Sequence, residues 1–374
     1  MKDSKKKKKV NYTMKLMYAL GILFVVSGHV VKTGGISLFY EWFPPYSFHL
    51  ALFAFCSGYF YEEKNENEVG TYIIKKIKKF IVPLYVWNFI YGLFVLITHQ
   101  FGFSIGANFS IYNLLIMPIV HGMKFHYNLA SWFLMSLFLV QVVYIVLRKI
   151  VALKKHKELI LIIIFSILGF LGIYLARNGY NKGLYLTLVR VFYFLPFYAT
   201  GYIYNKVLEK KDTLSNRVYF LLIMLGSLLV VGLIGYYPKY TPSSCHDFKN
   251  GILTPFIVGY LGIFFWLRIS KILTPYFGKN KYVNILADNA LPIVFHQFLG
   301  FMTIKSVFAI GHKFFGLFKD FSMLKFKSDI WYYYMPYNNT RFLILYVIAG
   351  LIIPIILARL YGKIKARSGY NEKK

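Results

Sequence analysis

The chain has 374 residues, 57% of them hydrophobic and 20% aromatic, with a mean hydropathy of +0.52 and a formal net charge of +30. Apolar runs recur along its whole length, which excludes a soluble globular domain and predicts an all-α polytopic membrane bundle. Two cysteines, Cys56 and Cys245, exclude a disulfide framework or a cysteine-rich metal site. The positive charge sits in short segments between apolar runs, the pattern of a topology signal and not of nucleic-acid binding.

Residues 1–13, which include the run KKKKK, are predicted to be a basic cytoplasmic tail drawn to anionic lipid. The tail and the apolar run after it resemble the first two regions of a signal peptide. No small-residue cleavage site follows Val31, however, so a retained first helix is expected. Ten spans are predicted near 14–31, 43–61, 80–98, 129–147, 158–177, 187–205, 218–236, 252–268, 285–311 and 341–359, forming one membrane domain over 14–361. A basic tail, 362–374, follows.

An even number of spans puts both termini on one side. Most of the 44 lysines and arginines fall on that side, in the two tails and in the segments 62–79, 148–157, 206–217 and 268–281. Short loops with that bias are cytoplasmic, so both termini are expected inside. The histidines run the other way: His29, His49, His99, His121, His126, His246 and His312 fall at or near the outer face. No internal repeat is visible. The outer segment DIWYYYMPYNNTR, 329–341, is dense in aromatics and is either an interface belt or a platform on which sugar rings stack.

Carboxylates are nearly absent from the spans; Asp288 is the nearest case, and Glu41 lies in the first outer loop. An ionisable side chain at membrane depth is a functional-site hypothesis by default. His29 closes the first span, about 21 Å along the helix from Lys15. A histidine there is either a hydrogen-bonded packing residue or a general base, since neutral imidazole accepts a proton near pH 7. His49 opens the second span across a short loop, on the same side. Arg190, near the outer end of span six, either snorkels outward or faces the interior, where it can stabilise an oxyanion. Lys305 and Arg341 carry the same two readings. His296 and Gln297 follow Pro292, whose missing N–H predicts a kink lining a pocket. No metal site is expected: no span carries a paired-histidine spacing.

Several segments together resemble the acyltransferase-3 family of membrane acyltransferases. YALGILFVVSGH (Tyr18 to His29) is similar to its first-helix signature, and FHLALFAFCSGYF (Phe48 to Phe60) to its second-helix element. YIIKKIKKFIVPLYVWNFIYG resembles the basic cluster and proline opening its third helix. SWFL (Ser131 to Leu134), LPFYATGYIY (Leu195 to Tyr204) and NALPIVFHQF (Asn289 to Phe298) match in order and spacing. The family usually has Arg or Lys eleven residues before the first-helix histidine; here that position is Tyr18, with Lys15 one turn earlier.

The resemblance implies ten helices, transfer of an acyl group, commonly acetyl from acetyl-CoA, to an extracytoplasmic glycan, and a catalytic role for His29. No esterase-like domain is expected after the tenth helix, so transfer would be completed in the bundle or by a polysaccharide-assembly partner. On this reading Lys75, Lys76, Lys78 and Lys79, with Lys15, would hold the donor phosphates. His29 would act as base or transient acyl carrier, His49 or Arg190 would stabilise the oxyanion, and His296, Gln297 and Glu41 would line the acceptor pocket. The setting is a bacterial plasma membrane. The competing reading is an exporter of polysaccharide or lipid-linked sugar, which polar outer loops and intramembrane basic residues would also suit.

Overall fold

A computed structural model describes residues 10–30, 44–152 and 156–367. Glu41 and the N-terminal lysine run lie outside the described residues. Within them the chain is helical, with no strand. Eleven principal helices run in chain order: α1 Tyr12–His29, α2 His49–Tyr59, α3 Val69–Gln100, α4 Leu129–Ile150, α5 Lys157–Arg177, α6 Gly183–Lys211, α7 Asn216–Ile234, α8 Thr254–Phe277, α9 Lys281–Asp288, α10 Ala290–Phe315 and α11 Leu343–Arg367. Eight of these, α3 to α8 with α10 and α11, are long and apolar enough to cross a membrane. The chain is thus an all-α polytopic membrane protein.

The centre is built from α1, α2, α6 and α8. Asn11 caps α1, its Oδ1 accepting the Met14 N–H at 3.0 Å, and apolar residues from Met14 to Val26 are buried around much of the helix. A helix apolar all round belongs inside a bundle. The opposite case is α7, only 11% buried over its most apolar window and packed chiefly on α8. Its exposed leucines present a lipid-facing surface.

Close approach of backbones fixes the centre. A Cβ on Gly58 of α2 would lie 1.8 Å from the Tyr198 carbonyl oxygen, and one on Gly201 of α6 would lie 1.9 Å from that of Phe55. Small residues let helices meet this tightly where no water-driven effect pulls them together. Gly300 plays the same part between α10 and α11, where a Cβ would lie 2.4 Å from the Ala349 oxygen.

Three predicted elements differ in detail. The second span is a helix of 11 residues, about 16 Å long, entered through a 3₁₀ turn at Pro45–Ser47, so it does not cross a membrane by itself. The lysines of 75–79 lie on a helix, not in a loop: α3 begins at Val69 and continues through a π turn at Ile77–Ile81. Pro83, which has no N–H for the ladder, follows that turn and accounts for the widened winding. The ninth span is broken at Asn289 into α9 and α10, and Pro292 falls in the first turn of α10. A proline there gives up only an N–H that has no helical partner, so it produces no internal kink.

The ion pairs of the described residues gather at the end of the bundle that carries the basic segments. Arg148, fully buried, reaches Glu66 at 2.7 Å and Glu158 at 2.8 Å, and Lys157 joins Glu66. Lys206 pairs with Glu63, and Asp212 joins Arg268 and Lys271. Burial alone would raise the Glu66 pKa, but Lys157 and Arg148 outweigh it and hold the carboxyl below the ordinary range.

Candidate active site

Along α1 the bundle encloses a cavity of about 1020 Å³. At the basic end it is bounded by Lys15, Lys79 and Asp288, and at the opposite end by His29, His49, Lys239 and Trp331. Between them the wall is mostly apolar, with Val25, Leu50, Phe53, Phe133, Leu137 and Val294. Lys15 and His29 are separated by about 21 Å of helix, so the cavity runs through most of the bundle's thickness.

His29 is the last residue of α1 and is held on three sides. Its Nδ1 lies 3.0 Å from Gln297 Oε1. An amide oxygen only accepts, so Nδ1 carries the proton and donates it, leaving the Nε2 lone pair free. The Tyr333 hydroxyl donates to the His29 carbonyl at 2.8 Å, while Phe298 and Trp331 flank the ring with centroids 5.2 and 6.0 Å away. His49 is fixed in the same tautomer, since its Nδ1 lies 2.7 Å from the Pro45 carbonyl oxygen. Tyr46 joins the two, its ring edge-on to His49 at 5.1 Å and its hydroxyl donating to the Gly28 carbonyl at 3.0 Å. Two imidazoles with free Nε2 atoms therefore share one end of one cavity.

The other candidates fall into place unequally. Gln297, fully buried, does not itself line the cavity and reaches it through His29; its Nε2 has no partner among the described residues. His296 is turned away from the cavity, with Nδ1 2.7 Å from the Tyr91 hydroxyl and its ring against Trp87 at 4.2 Å, which corrects its expected place in the pocket. On a helix, successive residues diverge by about 100°, so only one of this pair can face α1. Arg190 neither snorkels nor enters the cavity. Its Nε donates to the Pro242 carbonyl at 3.2 Å, an NH2 donates to that of Ser243, and the guanidinium lies over Trp132 at 4.4 Å. It braces the loop that walls the cavity.

Of the lysines on α3 only Lys79 borders the cavity. Lys75 and Lys78 are exposed, and Lys76 lies over the Tyr72 ring at 4.9 Å. Lys15 stands at the basic mouth, paired with Asp288 at 2.9 Å, and Tyr18 lines the wall one turn further in, its hydroxyl 3.5 Å from Ser57 Oγ. Lys305 is buried and donates to the Ile330 carbonyl at 2.6 Å. Sequence reasoning missed Tyr46, Ser57, Trp132 and Lys239. No periodicity marks the last, which sits in an irregular loop brought in by tertiary packing.

Burial first, then Lys124 and Arg190, lowers the His121 pKa below its ordinary value.

A family model described as an acyltransferase domain, Acyl_transf_3, matches residues 11–359. No curated protein and no solved structure matches the chain.

Proposed function

The chain belongs to the acyltransferase-3 family, and from that premise we propose that it moves an acyl group from acyl-CoA, acetyl-CoA being the simplest donor, to a hydroxyl of a cell-surface or lipid-linked polysaccharide. The observation that carries this reading is the cavity that joins Lys15 and Lys79 at one end to two free imidazole Nε2 atoms at the other. A donor whose phosphates are anionic and whose thioester ends a long slender arm fits that distribution of charge and length.

The site fits that donor in three ways. Lys15 and Lys79 would bind its phosphates, with Asp288 exchanging Lys15 for them. The apolar wall would exclude water from the arm, which protects a thioester from hydrolysis. The bound donor supplies an activated carbonyl next to His29.

The remaining chemistry belongs to the chain. His29 Nε2 takes the proton of an acceptor hydroxyl as its oxygen bonds to the thioester carbon. When the carbon–sulfur bond breaks, the imidazolium returns the proton to the departing thiolate. Gln297 holds the tautomer without adding charge. His49, its Nδ1–H spent on Pro45, has no N–H left for an oxyanion while neutral, so its Nε2 serves as a second acceptor steering the hydroxyl. Arg190, committed to Pro242 and Ser243, shapes the wall. His29 as a transient acyl carrier uses the same free Nε2. The family assignment favours transfer over export.

The test is reconstitution of the purified protein in nanodiscs with acetyl-CoA and a surface polysaccharide. Thiol release that depends on the glycan, with acyl groups appearing on it, is the expected result. Equal thiol release with and without glycan, and no acylated product from any acceptor, refutes the reading.

A further inference from the structure

The cavity's histidine end has a rim, and among the described residues its charge is unbalanced. Lys239 borders the cavity, is exposed, and has no hydrogen-bond or ion-pair partner among the described residues. The carboxylates of the described residues at that end are all engaged elsewhere. Asp247 Oδ1 accepts the Thr241 N–H at 2.8 Å, Asp329 Oδ1 accepts the Trp331 N–H at 2.8 Å, and Asp320 accepts the Tyr334 hydroxyl. Asp247 is the notable case: it lies on the same loop as Lys239, yet it closes the turn at Thr241. Among the described residues this rim cation is thereby left without a counter-ion.

The loop that carries Lys239 is fixed. Tyr240 donates its N–H to the Tyr46 carbonyl at 3.4 Å, and Tyr46 itself packs on His49. Arg190 holds the Pro242 and Ser243 carbonyls. Across the mouth, Trp331 is 41% exposed and equally well held. Lys305 anchors the preceding carbonyl, Asp329 binds the Trp331 N–H, and Tyr333 ties the same segment to the His29 carbonyl. A flat aromatic face and a free ammonium, each on a braced loop, thus flank the two imidazoles.

Resting on the acyltransferase reading, we propose that Trp331 and Lys239 form the acceptor subsite and select an anionic glycan. The sugar to be acylated stacks on the indole, and a carboxylate or phosphate borne by the same acceptor pairs with the Lys239 ammonium. That pairing orients a hydroxyl toward His29 Nε2. A neutral glycan makes only the stacking contact. The anionic group has two sources, a uronate within the polymer or the diphosphate of a polyprenyl carrier, and both present oxygens of the same chemistry.

Three probes separate them: a glucuronate-containing tetrasaccharide, its carboxyl-reduced neutral counterpart, and that neutral tetrasaccharide on a polyprenyl diphosphate. Binding is measured without acyl donor to the full-length protein in zwitterionic nanodiscs, and transfer is measured separately with acetyl-CoA. The wild type is expected to bind at least one anionic probe about tenfold more tightly than the neutral one, the worth of a charge-assisted hydrogen bond. Lys239→Met removes that preference without changing neutral binding, Lys239→Arg keeps it, and Trp331→Ala weakens all three probes alike. Which anionic probe is preferred identifies the source. Equal binding of all probes by the wild type, or a preference that survives in Lys239→Met, overturns the proposal. Because binding needs no turnover, anionic preference without transfer to any probe would sink the acyltransferase reading and leave the subsite standing. Transfer without charge preference would do the reverse.

Discussion

Replacing Gln297 by leucine removes the acceptor that fixes the His29 tautomer and changes little else, since Gln297 is buried and its Nε2 has no partner among the described residues. A buried hydrogen bond of this kind is worth about 0.5–1.5 kcal/mol, and leaving its donor unsatisfied costs about 1–3 kcal/mol. The imidazole escapes part of that cost by moving its proton to Nε2, where it faces the cavity. That tautomer has no lone pair to offer a hydroxyl. A preference of about 1.4 kcal/mol corresponds to a tenfold ratio, so the reactive form falls from the dominant species to a minor one and kcat drops about tenfold. The donor KM stays put, because Lys15 is about 21 Å from His29 along α1 and Lys79 borders the cavity at the same far end as Lys15. The assay is steady-state transfer by protein in nanodiscs, paired with nitrogen-15 NMR of His29 labelled in the ring. Gln297→Leu should lose kcat alone and move the ring proton from Nδ1 to Nε2. Wild-type kcat with the proton on Nε2 would refute the assignment of Nε2 as the base.

Further outcomes follow from packing and charge. Gly58→Ala puts a methyl 1.8 Å from the Tyr198 carbonyl oxygen, so α2 and α6 must separate; a loss of about 1–3 kcal/mol or more is expected, read as a lower Tm and lower yield in detergent. Arg148→Met leaves Glu66 and Glu158 beside an apolar side chain and should cost about 3–5 kcal/mol, with Arg148→Lys failing to restore the forked pairing in a thermal melt. The Glu66 pKa is lowered in the folded chain, so its contribution is fully present above the ordinary glutamate value of 4.5 and is lost as pH falls through the folded value. Wild-type Tm should therefore hold from neutral pH down to the ordinary value of 4.5 and fall as the pH drops below it, while Glu66→Gln is less stable at neutral pH and shows a shallower pH dependence.

The all-α, polytopic character was legible because bilayer-length apolar runs leave few alternatives; of the ten expected spans, eight correspond to helices long and apolar enough to cross a membrane. Boundaries were less so. The flanks of α2 are apolar enough to look like span, although Pro45 and the 3₁₀ turn shorten the helix. The break at Asn289 hangs on one residue in an otherwise continuous run. His29 and His49 could be paired from sequence, because a short loop joins the ends that carry them. Gln297 and His296 could be found but not ranked, since helix rotation decides which faces α1. Arg190 was misread for a nonlocal reason: its partners Pro242 and Ser243 come from a loop more than fifty residues away whose path no local pattern encodes. Lys239 was invisible for the same reason.

We propose that His29 performs acyl transfer to a surface glycan. The most direct test is the proton NMR spectrum of surface polysaccharide from cells carrying the wild type, a deletion, or His29→Ala at matched protein level. The acyl signal should vanish in the deletion and in His29→Ala alike, with the amount of polymer outside the cell unchanged. Undiminished acylation in His29→Ala, or unmodified chemistry with polymer trapped inside, would contradict it.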